Sequence, residues 1–354
     1  MVSRAVVFVE GERRDPNRSA GARRSARAVG PLFPLANRPF LFHLLDGLDA
    51  AGIAGAVLVV APDAESALRA AVDAAAQWDL TLEWLPLDDQ FGLAQALGQA
   101  QAFLDGEPFL LHLGDSLTGD GFETLLMDAA SEPGDAVVLL EPGAPAASAS
   151  VVPLVGGGIG DVGPENVPAL TGLAILGPDA PEAARSVGRR MALDHELITT
   201  IQRLVAAGGQ ARTCSNGRWW RFRGQPDSEV DANRFVLDCL HPAGPASGYA
   251  IQGNVVVHES AELESTIVRG PAIIGAGARL SHCYIGPYTS IGAGAVIEVA
   301  EVECSVVLGE ATISHLERRL EDSVVGPRAR VVHDFRIPRA LRVNVGDGAT
   351  IALS

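Results

Sequence analysis

The feature that most constrains the fold is a six-residue periodicity in the last third of the chain. Isoleucine recurs at this interval in two runs, at Ile267 and Ile273 and then at Ile285, Ile291 and Ile297. Glycine follows at Ile274-Gly275, Ile285-Gly286 and Ile291-Gly292. A six-residue apolar repeat with small residues at the corners is typical of a parallel β-helix, in which three units complete one triangular coil. We therefore predict a short β-helix over about residues 250–333, with the repeating isoleucines stacked along its axis.

Upstream of this repeat, apolar strands alternate with helical patterns. The first strand is the apolar run Ala5–Val9, and the first long helical pattern is Phe40–Ala51. This rhythm predicts an α/β fold with a Rossmann-like, doubly wound parallel sheet. A stretch rich in Pro, Gly and Ala precedes the repeat and is typical of a linker. The predicted organisation is an α/β domain over residues 1–240, a linker over 241–249 and a β-helix domain over 250–354.

Charge and composition exclude several classes of function. The net charge of −16 argues against nucleic-acid binding and against docking on an anionic membrane surface. All 27 basic residues are arginine, so no mechanism that needs a lysine ammonium group is available to this chain. The four cysteines show no CxxC spacing, and no apolar run has the length of a signal peptide or a membrane span. We expect a cytoplasmic protein.

The loop after the first strand is rich in arginine, with six of them between Glu10 and Gly30. Open α/β sheets bind ligands at the carboxyl ends of their strands, which is where this loop begins. Two interpretations stay open. The loop is either a solvated, mobile charged segment or an anion clamp in which guanidinium groups bind phosphate.

Six short segments, spread in order over nearly the whole chain, carry a family resemblance. They are Pro34-Leu35-Ala36-Asn37-Arg38-Pro39, Gly92-Leu93-Ala94, Leu113-Gly114-Asp115, Ala169-Leu170-Thr171-Gly172-Leu173, Asp231-Ala232-Asn233-Arg234 and Ile285-Gly286-Pro287-Tyr288-Thr289-Ser290-Ile291-Gly292. This order resembles the sugar-1-phosphate nucleotidyltransferases, in particular the long glucose-1-phosphate thymidylyltransferases. The resemblance implies a Rossmann-like nucleotidyltransferase domain followed by a left-handed parallel β-helix.

The resemblance also supplies candidate site residues. Candidates for contacts to a nucleotide or phosphate are Gly11, Arg13, Arg14, Gly92, Gly114 and Asp115, and candidates for contacts to a sugar are Gly172, Asp194 and Glu196. If the protein is active, Mg²⁺ is the implied cofactor, with Asp115 as its ligand. The alternative for Asp115 is a strand-end aspartate that caps a turn.

The chain departs from the family pattern at three catalytic positions. Glu10–Asp15 stands where the family has a glycine-rich loop that cradles the nucleotide phosphates. Gly30 stands at the position of the catalytic lysine, and Phe222 at that of the second metal-binding aspartate.

These departures leave two principal hypotheses. In the first, the chain is a catalytically degenerate homologue that acts as a binding, regulatory or oligomer-partner protein. In the second, it is an active enzyme that forms a nucleotide sugar, with the arginine-rich loop making the phosphate contacts. A nucleotide or a sugar phosphate is the expected ligand. In either case the β-helix is expected to mediate homo- or hetero-oligomerisation.

Overall fold

The computed structural model describes most of the chain as two compact units. The described residues are 2–9, 30–87, 92–131, 135–141, 154–155, 158–159, 169–185, 193–214, 217–222, 228–240 and 250–333. Within them, the first unit comprises residues 2–9, 30–32 and 41–222, and the second comprises 33–40 and 228–333. The predicted linker, 241–249, lies outside the described residues, and the predicted domain boundaries stay a prediction.

A seven-stranded sheet organises the first unit. Its strands, in spatial order, are β12 (Ala211–Cys214), β8 (Ala136–Glu141), β11 (Ala169–Leu176), β6 (Phe109–His112), β1 (Arg4–Phe8), β4 (Gly55–Val60) and β5 (Thr81–Pro86). Strands β6, β1, β4 and β5 run parallel, as expected, whereas β11 runs antiparallel to both of its neighbours. An antiparallel strand can join its neighbour without a helical crossover. The alternation of strands and helices in the sequence therefore predicts the strand β11 but not its direction.

Helices cover this sheet and short strand pairs flank it. The helices are α1 (Phe40–Ala50), α2 (Glu65–Ala75), α3 (Leu93–Leu104), α4 (Glu123–Ser131), α5 (Ala180–Arg185) and α6 (Leu193–Ala206). The strand pairs are β7 (Ser116–Thr118) with β13 (Trp219–Arg221), and β9 (Leu154–Val155) with β10 (Gly158–Ile159). Helices α3, α5 and α6 bury their apolar faces against one face of the sheet, where Leu97, Leu111 and Leu197 belong to one core cluster. No helix in the described part of the chain is both long enough and apolar enough to cross a membrane.

The second unit contains the predicted parallel β-helix. Three five-stranded sheets stack strands from successive coils. The strands of the first sheet are β14 (Ile251–Gln252), β17 (Ile267–Arg269), β20 (Tyr284–Ile285), β23 (Glu301–Glu303) and β26 (Leu320–Glu321). Those of the second are β15 (Val255–Val257), β18 (Ala272–Ile274), β21 (Thr289–Ile291), β24 (Val306–Val307) and β27 (Val324–Val325). Those of the third are β16 (Glu262–Glu264), β19 (Arg279–Ser281), β22 (Val296–Glu298), β25 (Thr312–Ser314) and β28 (Arg330–Val332).

The isoleucines predicted for the core of the β-helix divide into two groups. The three that follow one another at unbroken six-residue intervals are completely buried: Ile285, Ile291 and Ile297. The prediction is wrong for Ile267, which is 37% exposed, and for Ile273, which is only partly buried. Their neighbours Val268 and Ile274 take the core positions, because these two pair across the coils with the buried isoleucines of β20 and β21. Successive residues of a strand face opposite sides, so the correct face depends on register.

A hairpin and a helix complete the second unit. They are β2 (Pro34–Leu35) with β3 (Arg38–Pro39), and α7 (Ser228–Cys239). The two hairpin-turn residues, Ala36 and Asn37, have φ values of 46° and 62°. Positive φ at both central residues is the condition for a type I′ turn, and asparagine tolerates it better than most residues.

A buried polar junction joins the hairpin, α7 and the β-helix. The Asn233 side-chain oxygen accepts hydrogen bonds from the Ala36 backbone N–H at 2.8 Å and from the Ser290 hydroxyl at 2.7 Å. The Asn37 amide donates to the Ile291 carbonyl at 2.7 Å. Three of the six segments that carry the family resemblance therefore meet at one structural junction.

We predict that Asn233→Ala lowers the free energy of unfolding of the second unit by about 1–3 kcal/mol, because the buried Ala36 N–H loses its acceptor. Hydrogen exchange at the Ala36 amide should accelerate in the same variant. The control is Asp231→Ala on the same helix, which removes a long ion pair to Arg234 at 3.9 Å and an exposed carboxylate in the first turn, and should change stability by less than about 1 kcal/mol. Equal stability of the two variants would contradict the role of Asn233.

Candidate functional site

Asp115 lies just beyond the carboxyl end of β6, in the central part of the sheet. The preceding residue, Gly114, has a φ of +82°, and a Cβ atom there would lie 1.7 Å from the Phe8 carbonyl oxygen. Only glycine therefore allows the turn before Asp115 to pack against the end of β1. The structure thus gives Gly114 a packing role, and its predicted phosphate contact stays a prediction.

The Asp115 carboxylate is bound by the guanidinium group of Arg221. Nε and Nη2 of Arg221 donate to Oδ2 of Asp115 at 3.0 and 2.7 Å, and Nη2 also donates to Oδ1 of Asp194 at 2.7 Å. Nη1 donates to the Leu170 carbonyl at 2.7 Å. We call Asp115, Asp194 and Arg221 the Arg221 cluster.

The Arg221 cluster is buried, and its guanidinium group stays protonated. The Arg221 side chain is 6% exposed, and the two carboxylates are each 12% exposed. Burial by itself lowers the pKa of Arg221, but the charges of Asp115 and Asp194 outweigh burial and raise it above its ordinary value. Burial also raises the pKa of Asp115, and Arg221 acts against this shift. With all three groups ionised, the cluster carries one net negative charge.

A neutral histidine lies beside this cluster. Burial, with a smaller contribution from Arg221, lowers the pKa of His112 to about 3. Its Nδ1 atom accepts a hydrogen bond from the Gly114 N–H at 2.8 Å, as a neutral ring can. His112 therefore stabilises the turn that holds Asp115 and adds no charge to the site.

Gly172 lies against the other oxygen of Asp115. Gly172 has a φ of +81° at an irregularity in β11, and a Cβ atom there would lie 2.8 Å from Oδ1 of Asp115. Oδ1 is buried and has no hydrogen-bond partner among the residues that the structure describes. The structure thus brings together Gly172 and Asp194, both predicted sugar contacts, with Asp115.

Arg221 is not among the site residues predicted from the sequence. The adjacent Phe222 stands at the position of the family's second metal-binding aspartate, and its side chain is buried while its backbone N–H donates to the Asp115 carbonyl at 2.8 Å. Strand β13 pairs with β7 so that Arg221 faces Ser116, the residue after Asp115. One signal was available, because an arginine between Trp220 and Phe222 is a charged residue in an otherwise aromatic run.

A second pair of predicted residues meets at the start of α3. The N–H of Leu93, the first residue of α3, donates to Oε2 of Glu196 at 2.6 Å. A Cβ atom on Gly92 would lie 2.2 Å from the same oxygen, so the Glu196 carboxylate can come this close to the start of α3 only because residue 92 is glycine. The buried Glu196 carboxylate thus supplies the negative charge that a helix N-terminus favours. The predicted roles of Gly92 in nucleotide binding and of Glu196 in sugar binding stay predictions.

The remaining predicted residues, Gly11, Arg13 and Arg14, lie outside the described residues. In the ranges that the structure does describe, no three His, Cys, Asp or Glu side chains are grouped so as to hold a metal ion. Asp115, the residue predicted to bind Mg²⁺, has its Oδ2 engaged by Arg221. The described residues therefore do not fit a divalent cation at Asp115.

We predict that Glu196→Ala lowers the free energy of unfolding of the first unit by about 1–3 kcal/mol. The variant leaves the buried Leu93 N–H without its acceptor and removes a favourable charge at the helix N-terminus. Thr199→Ala is the matched control, because among the described residues the Thr199 hydroxyl donates to the His195 carbonyl of its own helix. Denaturant unfolding of both variants measures the difference, and a Glu196→Ala effect no larger than that of the control would contradict this assignment.

Comparisons with known proteins agree with this architecture. A family model described as nucleotidyl transferase matches residues 25–149. The chain is 30% identical to the glucose-1-phosphate thymidylyltransferase of Streptomyces griseus over 334 residues, which cover 91% of this chain and 93% of the relative. It is 29% identical to the low-salt glycan biosynthesis nucleotidyltransferase of Haloferax volcanii over 348 residues, which cover 92% and 95% of the two chains.

A solved structure supports the fold. It is a sucrose complex from Bacillus anthracis, provisionally assigned as a glucose-1-phosphate thymidylyltransferase, with a TM-score of 0.54 and 18% identity. The match covers 68% of this chain and 97% of the other. On the sequence relationships above, the chain belongs to the nucleotidyl transferase family and is a homologue of the glucose-1-phosphate thymidylyltransferases.

Proposed function

We propose that this homologue does not catalyse nucleotidyl transfer and acts instead as a binding, regulatory or oligomer-partner protein. One observation carries the proposal: the guanidinium of Arg221 binds the Asp115 carboxylate, the group that the family resemblance assigns to Mg²⁺. Because the guanidinium is buried and stays charged, Asp115 is not available to a second cation.

The chemistry of the family explains why this change is severe. The sugar phosphate attacks the α-phosphorus of a nucleoside triphosphate, and catalysis consists largely of positioning and charge neutralisation. The only cation of the Arg221 cluster already pairs with two carboxylates of the protein, so the cluster offers no free positive charge to neutralise a triphosphate. Losing one preorganised group of this kind typically costs about 10²–10³ in rate.

A second catalytic position supports the same conclusion. Gly30, which stands at the position of the family's lysine, is exposed, and a Cβ atom there would meet none of the described residues within 4 Å. Packing against the described residues therefore does not require glycine at this position. The charge that the lysine supplies in the family is missing at this position.

We predict that the purified protein, given Mg²⁺, glucose 1-phosphate and dTTP or UTP, releases pyrophosphate at less than about 10⁻³ s⁻¹, compared with roughly 10 s⁻¹ for a median enzyme. The Asp115→Asn variant should give the same background rate. Turnover of the wild type at ordinary enzyme rates would refute the proposal, most directly if Asp115→Asn abolished that turnover.

The second candidate function is active nucleotidyl transfer with altered phosphate contacts. It is favoured by the arginines of residues 10–29, which could neutralise phosphate by bidentate hydrogen bonds. This hypothesis predicts nucleotide binding that weakens about tenfold or more in the Arg13→Gln/Arg14→Gln variant. Titration calorimetry with dTTP, UTP and glucose 1-phosphate measures it, and Arg69→Gln, which changes an exposed arginine on α2, is the control. Absence of binding to all three ligands excludes this candidate.

A further inference from the structure

We infer that Arg221 is a built-in replacement for a divalent cation: its guanidinium group bridges Asp115 and Asp194 permanently, and the site is independent of metal. This inference rests on the proposed function in that it concerns the same carboxylate. It goes further because it assigns a structural role to Arg221 and predicts that the two carboxylates bind a metal ion once Arg221 is removed.

The guanidinium occupies the position from which one cation could contact both carboxylates. Its Nη2 atom lies 2.7 Å from an oxygen of Asp115 and 2.7 Å from an oxygen of Asp194. Three separate segments converge on this group: the turn after β6, the first turn of α6 and, through the Leu170 carbonyl, strand β11. These are the distances of charge-assisted hydrogen bonds, and they use most of the donors that arginine has.

A hydrated metal ion has no room beside this arrangement. Mg²⁺ binds oxygens at about 2.0–2.1 Å and usually keeps several water molecules. Oδ2 of Asp115 already accepts two hydrogen bonds from Arg221. Oδ1 is buried, so a water molecule does not reach it in this structure. Neither oxygen can therefore accept a hydrated cation while Arg221 is in place.

The two kinds of cation also differ in what they permit. A metal ion can exchange a water ligand for a phosphate oxygen, whereas a planar guanidinium group has a fixed set of hydrogen-bond donors. Here those donors are directed at the protein itself. The Arg221 cluster is therefore a structural element that links β13 to α6 and to the end of β6, and chelators should leave it intact.

The test is a titration of the full chain with Mn²⁺, with free Mn²⁺ counted by electron paramagnetic resonance. The wild type and Asp115→Asn should give the same Mn²⁺ binding. Arg221→Met, which removes the charge and keeps an apolar chain of similar length, should gain one Mn²⁺ site at least about tenfold tighter than any site of the wild type. Arg221→Met/Asp115→Asn should lose that site, and Arg221→Lys, which keeps the positive charge, should not acquire it.

Thermal unfolding supplies an independent measurement. Replacing the buried guanidinium by methionine should lower the melting temperature by about 5–15 °C, and Mn²⁺ should restore part of this loss in Arg221→Met only. If Arg221→Met does not fold, the test is whether the wild type and Asp115→Asn bind Mn²⁺ equally. Equal binding supports the inference, and binding that is lost in Asp115→Asn contradicts it.

Two results overturn the inference. One is Mn²⁺ binding by the wild type that disappears in Asp115→Asn, and the other is a folded Arg221→Met that gains no Mn²⁺ site. Both are separable from the proposed function, because the Mn²⁺ titration measures binding and the pyrophosphate assay measures turnover. Turnover without Mn²⁺ at Asp115 would refute only the proposed function.

Discussion

The first unit depends on a buried guanidinium group held between two largely buried carboxylates. A buried charge is tolerated only when partners compensate the loss of hydration, so Arg221, Asp115 and Asp194 constrain one another. Removing Arg221 would leave two carboxylates close together without their cation. This requirement positions β13 beside β7 and places the first turn of α6 next to the end of β6. The same contacts that make the cluster a good structural link make it a poor place for a second cation.

Other residues that resemble family site residues also serve the scaffold. Glu196 lies on the same turn of α6 as Asp194 and binds the first N–H of α3. α/β sites commonly direct a helix N-terminus and a strand-end carboxylate at ligands. Here Glu196 satisfies the helix N-terminus, and Asp194, on the same turn, shares the guanidinium group of Arg221 with the strand-end carboxylate of Asp115. In the second unit, Asn233 links the hairpin turn to Ser290 of the β-helix. A residue at these positions can therefore match the family pattern because it stabilises the fold, and not only because it takes part in the reaction.

Much of the fold was predictable because it is encoded in local patterns. The six-residue repeat predicted the β-helix, and alternating apolar runs predicted the α/β unit. The errors occurred where the pattern is ambiguous locally. Of the adjacent apolar pairs Ile267-Val268 and Ile273-Ile274, periodicity selected the first member, whereas register with the next coil buries the second. The direction of β11 likewise depends on its neighbours in the sheet and not on its own apolar residues.

The sequence by itself determined which groups the chain does not have: it has no lysine anywhere, glycine at position 30 and phenylalanine at position 222. These are facts of covalent composition, and no fold can alter them. Only the tertiary structure decided what Asp115 binds. Arg221 is 106 residues away from it in sequence, and the pairing of β13 with β7 brings the two side chains together. A linear sequence records the charge of each residue, whereas the partner of a buried charge depends on which strands pair and in which register.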